Sequence, residues 1–300
     1  MVPGMILPRF DYEAPTTVEQ AAALLAQAGA EAAVLAGGTD LLVKMKRGAA
    51  HPRLVVSLRR IEGLDRVEPT DGGGLRIGPL VPMERLARSP LLSGPWVGVA
   101  EGAGSVGGPL IRNRATIGGN IVNGRPCADG VPPLTVLGAT LRLEGPDGTR
   151  VVDLDGFITG PGRTSIRAGE VLTAIDLPAP PPGSGSAYLK ITRRAAMEVT
   201  IVGCGASVEL DPDRRTVRKA RLVFTSVAPV PLRVKEAERE VEGRAPDDSV
   251  LRAAGAAARR ATKPIDDQRA PAEFRSEMVD VLARRALRLA LDRAGWRAQR

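Results

Sequence analysis

Apolar and polar residues along this chain change their spacing twice, and the changes divide it into units. Thr16-Thr17-Val18-Glu19 has the pattern of a capping box, and an alanine-rich stretch follows it to Gly29, so a helix is expected to run up to that glycine. A short apolar run at 32–35 predicts a strand, 41–47 a second helix opened by Thr39 and Asp40 and closed by Gly48, and 54–58 another strand. Together they predict a small βαβ unit whose first strand leads into a glycine pair. From about residue 61 the pattern shortens into strand-like runs at 75–77, 140–143, 149–154 and 171–177, with one helix expected over 91–107. A Pro-, Gly- and Ser-rich stretch at 178–185 predicts a linker. Beyond it lie strand candidates at 187–192, 200–210 and 217–227, then helices at 249–262 and 272–294, the last with Met278, Leu282, Ala286 and Leu289 on one face.

Three hundred residues suit two or three domains with real cores. No run approaches the ~18 apolar residues of a membrane span, and the N-terminus has no basic stretch leading into an apolar one, so neither a span nor a secretion signal is expected. Cys127 and Cys204 are the only cysteines and His51 the only histidine, which argues for a reducing compartment and against a zinc or iron–sulfur site on this chain. The net charge of +8 invites a nucleic-acid reading, but the arginines are dispersed and aromatics are only 3% of the chain, so a phosphate-tracking groove with stacking platforms is not expected.

The chemistry is concentrated in two double-glycine motifs, Leu35-Ala36-Gly37-Gly38-Thr39-Asp40 and Thr116-Ile117-Gly118-Gly119-Asn120. Glycine pairs let backbone approach a ligand closely and aim successive amides at one anion, so two such loops predict a dinucleotide site gripped from both sides. Thr116, Asn120 and Asn123 are hydrogen-bonding groups suited to phosphate or ribose, and Asp129 is an acceptor for ribose hydroxyls or a ring N–H, or else a helix cap. Gly102-Ala103-Gly104-Ser105-Val106-Gly107 matches the Rossmann fingerprint, but no strand precedes it and Gly108-Pro109 follows, so close helix packing is the better reading. Of Arg112 and Arg114, at least one is expected to be a solvated charge. Asp266-Asp267 reads as a helix-entry turn paired with arginines, His51 as solvated, and Cys127 as a small packing residue or a thiol beside the ligand.

These motifs, with Pro8-Arg9-Phe10, Ile111 to Asn120, Arg193 to Gly203 and Ile265 to Arg275, resemble the FAD-binding medium subunit of the molybdenum hydroxylases, the family of xanthine dehydrogenase and aerobic carbon monoxide dehydrogenase. The resemblance implies an α+β architecture: a PCMH-type FAD-binding fold of two α/β subdomains, at 1–60 and 61–180, then a domain of antiparallel sheet plus helices at 186–300. It implies a cytoplasmic oxidoreductase subunit with FAD as cofactor. Electrons would come from a molybdenum-cofactor large subunit through a two-cluster iron–sulfur small subunit and pass to an external acceptor. The alternative is a stand-alone flavin-dependent reductase of the same fold. By the same resemblance, Val34, Leu35, Ala36, Gly37, Gly38, Thr39, Asp40 and Leu41 would wrap the pyrophosphate, with Thr116, Ile117, Gly118, Gly119 and Asn120 on its other side. Asp129 would lie by the ribityl region, Val106 and Leu172 against the ring, and Lys190 close to the flavin. No residue is expected to act as catalytic acid or base, and none to bind metal.

Overall fold

Thr17 starts the first helix: its hydroxyl accepts from the Gln20 amide, while Gln20 Oε1 accepts from the Thr16 amide. The capping box is therefore Thr17–Gln20, one residue later than the Thr16–Glu19 spacing suggested. This is a computed structural model describing residues 7–296. The first six residues, within the segment read for a secretion signal and the first expected unit, and the last four, ending the third, lie outside it. Strand β1 (Asp11–Glu13), helix α1 (Val18–Ala28), β2 (Ala32–Leu35), α2 (Leu41–Lys46) and β3 (Leu54–Ser57) form the first unit. Its sheet is parallel, in the order β1-β3-β2. Ala21 and Leu25 of α1 pack on Val56 and Leu58, and Leu80 and Val171 of the next unit complete that core.

The second unit contains β4 (Val67–Pro69), β5 (Leu75–Ile77), α3 (Met83–Ala87), α4 (Val97–Gly104), α5 (Pro109–Arg112), α6 (Ile117–Val122) and α7 (Val131–Val136). It continues through β6 (Thr140–Gly145), β7 (Gly148–Asp153), the small pair β8 (Ile158–Gly160) and β9 (Arg163–Thr164), and β10 (Val171–Leu177). A five-stranded antiparallel sheet, β4-β5-β10-β6-β7, buries Ile77, Leu141 and Ile175 against Met83, Ile117 and Leu134 of the helices. The single helix expected over 91–107 is instead a 3-10 turn at Gly94–Trp96 followed by α4, because Ser93 is extended and Pro95 has no N–H to carry a helix through. Helix α4 is rich in glycine for packing: a Cβ on Gly102 would lie 2.7 Å from the Asp129 carbonyl, and one on Gly98 would lie 3.0 Å from Ser186 Oγ. That accounts for the Rossmann-like spacing without a nucleotide.

The third unit is a four-stranded antiparallel sheet of β11 (Ser184–Ile191), β12 (Val202–Leu210), β13 (Val217–Thr225) and β14 (Leu232–Arg233), with α8 (Lys235–Arg239), α9 (Asp248–Ala261) and α10 (Ala272–Ala294). Val279, Leu282, Ala283, Ala286, Leu287 and Leu291 of α10 are buried on the sheet and on α9. The buried stripe is turned from the expected one: Leu282 and Ala286 hold its middle, while Met278 and Leu289 are only partly covered. Its other sheet face meets the second unit. There Ser186 Oγ donates to Pro95 O (2.6 Å), and the Tyr188 amide donates to Glu101 (2.8 Å). Arg293 of α10 pairs with the same Glu101 (2.5 Å) and donates to Ser186 O (2.8 Å).

Candidate functional site

The first glycine motif leaves β2 as an open loop. Gly38 has φ of +78°, a left-handed conformation that glycine adopts without a Cβ clash. Among the described residues, the amides of Gly37, Gly38, Thr39, Asp40 and Leu41 find no protein acceptor; the first to do so is Leu42, which donates to Gly38 O (3.1 Å). A run of free amides at the mouth of a cavity is a ready anion cradle. Gly37 also has to be bare, since a Cβ there would be driven into the Arg114 carbonyl oxygen just before the second motif.

The second motif is not an open loop. It is the first turn of α6, capped by Thr116, whose hydroxyl accepts from the Gly119 amide (3.1 Å). Ile117 donates to Val81 O, Gly118 to Pro79 O and Asn120 to Thr116 O. The amides from Ile117 to Asn120 are thus already used, and a Cβ on Gly118 would meet Pro79 Cβ at 2.5 Å. The two motifs contribute differently: the first offers N–H groups, while the second is pinned to the 79–82 segment and offers a close-fitting wall. Free amides therefore stand on one side only, against the expectation of two, because glycine doublets read alike in sequence whether they end in a loop or in a helix turn.

Between the motifs lies a cavity of about 590 Å³. Every expected site residue lines it except Leu35, Ile117, Asp129 and Lys190. Ile117 is in the core behind the wall. The cavity also gathers residues the sequence reading passed over, among them Lys44, Ile111, Ile166 and Arg167. Lys44 Nζ donates to Asn123 Oδ1 (2.8 Å), tying α2 to the end of α6 across the cavity. Its position four residues after Asp40, one helical turn into the element the glycine loop opens, was the available signal. Glu170, also in the lining, is held below the ordinary carboxylate range by its hydrogen bond from Arg150, despite partial burial.

Asp129 and Lys190, outside the cavity lining, form an ion pair in which Asp129 is buried and Lys190 largely so. Asp129 accepts from Tyr188 Oη (2.6 Å), Thr200 Oγ1 (2.5 Å) and Lys190 Nζ (3.0 Å), and Lys190 also donates to Ser105 O (2.6 Å). Ser105 is the neighbour of Val106, so the pair anchors the turn that sets Val106 in the cavity wall. Burial, reinforced by the Asp129 charge, pushes the Tyr188 phenol well above its usual range and keeps it a donor. Burial first, then Asp129, raises the Cys127 thiol, so it stays protonated and behaves as a packing residue. Asp129 caps no helix: α7 has no side-chain cap.

The remaining candidates are structural. Arg112 pairs with Glu84 (2.7 Å) behind Val106, whereas Arg114 is exposed. Asp266 accepts from the Ala272 amide and Asp267 pairs with Arg269 and Arg275, as a helix-entry turn would. His51 is exposed and contacts Gly48 O. Among the described residues no group of three His, Cys, Asp or Glu side chains could hold a metal, and no helix is long and apolar enough to cross a membrane.

Comparison with known proteins places this geometry among others. The family model for the FAD binding domain in molybdopterin dehydrogenase matches residues 8–180, and that for the CO dehydrogenase flavoprotein C-terminal domain matches 187–290. The chain is 37% identical over 294 residues to the carbon monoxide dehydrogenase medium chain of Afipia carboxidovorans, covering 98% of this chain and 99% of that one. It is 32% identical over 289 residues to the xanthine dehydrogenase FAD-binding subunit of Escherichia coli, covering 96% and 98%. A solved carbon monoxide dehydrogenase chain from Hydrogenophaga pseudoflava superposes with a TM-score of 0.92 at 36% identity, over 96% of this chain and 99% of that one.

Proposed function

Because the chain belongs to the family of FAD-binding medium subunits of molybdenum hydroxylases, we propose that its larger cavity holds FAD with the pyrophosphate on the 36–41 loop and the ring toward Val106 and Leu172. The protein is the FAD-binding electron-transfer subunit of an oxidoreductase complex. One observation carries the site assignment: a run of free amides from Gly37 to Leu41 faces a cavity whose opposite wall is locked to it through the Gly37–Arg114 contact. The volume of about 590 Å³ lies within the roughly 300–1,000 Å³ common to cofactor sites. The donors suit a diphosphate, and the apolar side chains of Val106, Ile111 and Leu172 suit a flat ring.

FAD, when bound, supplies the redox chemistry, and its surroundings tune the potential. This chain's residues bind and orient. The 37–41 amides and the Lys44 ammonium offset the pyrophosphate charge, Val106, Ile111 and Leu172 keep water from the ring, and the Asp129–Lys190 pair holds the Ser105–Val106 turn in place. No side chain is assigned a proton-transfer role. With two cysteines and one histidine in the sequence, the clusters and the molybdenum are assigned to partner chains: a two-cluster iron–sulfur small subunit and a molybdenum-cofactor large subunit. Electrons would leave to an external acceptor in the cytoplasm.

Two experiments test the reading. Purified protein should show visible flavin absorbance at one FAD per chain; a colourless protein that stays apo through FAD titration would remove it. Pull-down of the native protein should bring a molybdenum-containing large chain and a cysteine-rich small chain. A protein that runs alone and reduces a small substrate with a nicotinamide donor would favour the stand-alone reductase instead.

A further inference from the structure

A second cavity, about 380 Å³, lies at the Ser184 end of β11, remote from Lys190 at the other end of the strand. Strand register makes its floor polar. Ser184, Glu209 and Lys219 are cross-strand neighbours in one row, and Ser207 and Arg221 are paired in the next. Side chains two apart on a strand share a face, so Lys219 and Arg221 stand side by side on β13. Trp96, Gly138 and Pro180 close the cavity from the second unit and the linker.

The charges here are unbalanced. Glu209 is engaged by Arg218 (2.9 Å), and among the described residues neither Lys219 nor Arg221 has a carboxylate within ion-pair distance. Arg221 makes one long hydrogen bond, from Nη1 to Val136 O (3.4 Å), while its Nε and the Ser184 hydroxyl are shut off from solvent with no partner. Gly138 has φ of +74°, and a Cβ on it would fall 2.6 Å from Arg221 Nη1, so the backbone is left bare where the guanidinium lies. A half-buried guanidinium whose Nε has no acceptor carries an unrecovered desolvation cost. An oxyanion supplies what the site lacks, because the guanidinium fork matches a carboxylate or phosphate edge.

We propose that this cavity binds a small organic oxyanion, its phosphate or carboxylate head seated on Lys219 and Arg221, with the Ser184 hydroxyl as a further donor. A ligand there touches the linker and the third unit together, so it tightens the joint between the flavin half and the C-terminal domain. The proposal does not depend on what the larger cavity holds.

Thermal unfolding and titration calorimetry of the full, flavin-loaded chain test it, with inorganic phosphate in one arm, citrate in another and chloride at matched ionic strength as control. The expected result is a saturable rise in Tm with phosphate or citrate and none with chloride; the responding arm identifies the head group. Lys219→Gln, at a partly exposed position, should weaken binding about tenfold. Arg221→Lys should weaken it as well by removing the fork, with flavin content unchanged in both variants. No saturable response beyond chloride, or responses unchanged in both variants, would overturn the proposal. So would an intact complex in which a partner carboxylate occupies Arg221.

Discussion

Gly37 rests directly against the carbonyl of Arg114, a contact that joins two segments nearly eighty residues apart and leaves no room for a side chain. It fixes the spacing between the loop that offers free amides and the helix that forms the facing wall. Any atom added at Gly37 must separate the two.

Gly37→Ala should therefore cost about 1–3 kcal/mol of stability through overpacking and reduce FAD affinity at least tenfold. Gly38→Val should do the same through its positive φ. Flavin content after gel filtration and the Tm report both effects. Full flavin retention in both variants would show that the loop is not the cradle.

Lys44 is the cation within reach of the cradle that also ties the two walls together through Asn123. Lys44→Gln should weaken FAD binding by about tenfold, the scale of one charge-assisted hydrogen bond. It should also flatten the salt dependence of the Kd. Titration of apo protein at two ionic strengths checks both, and an unchanged Kd would place the pyrophosphate elsewhere.

Asp129→Ala leaves the Lys190 ammonium buried without its carboxylate and should cost about 3–5 kcal/mol. Tyr188→Phe removes one hydrogen bond to the same carboxylate and should cost about 1–1.5 kcal/mol. Adding Lys190→Met to Asp129→Ala should recover part of the loss. Denaturant midpoints of these variants, of Lys190→Met alone and of the unaltered protein measure the losses; additive losses for Asp129→Ala and Lys190→Met would show that the two groups are not coupled.

Asp267 gives a pH dependence. Burial opposes ionisation, yet the Arg269 amide and side chain and the Arg275 guanidinium hold its carboxyl at about 2, below the ordinary 3.8. The folded form therefore resists protonation more than the unfolded chain does. Its contribution, about 2 kcal/mol by linkage, is fully present above the unfolded value and is lost as pH falls toward the folded one. Asp267→Asn should destabilise the protein at neutral pH, and the difference should shrink as pH falls below 3.8 and vanish only below about 2. A difference that stays constant with pH would contradict the pairing.

The elements with strong local signals were legible in the chain. Helix α1, strand β2, the linker and the long helix α10 stand close to where their patterns place them, because periodicity, caps and glycine stops act over a few residues. The 91–107 segment departed because Pro95 and Ser93 break a run whose apolar content alone looked helical. The buried stripe of α10 turned because the side chains facing it across β11 and β12 decide which face is covered. Lys44 and Arg167 carried little signal, since ordinary surface lysines and arginines look the same until a cavity is found beside them.

What the sequence determined by itself was the material for a flavin site. It placed glycine where backbone must come close, set too few cysteines and histidines for clusters, and carried motifs that resemble those of FAD-binding medium subunits. Tertiary structure decided how those parts are used. It left the first glycine motif's amides free and consumed the second's, because only packing against the 79–82 segment provides the second with acceptors. It also brought Asp129 and Lys190, sixty-one residues apart, into one partly buried pair beside the Ser105–Val106 turn. Which groups are free to meet a ligand depends on which have already found partners, and those partners lie too far along the chain for local pattern to reveal.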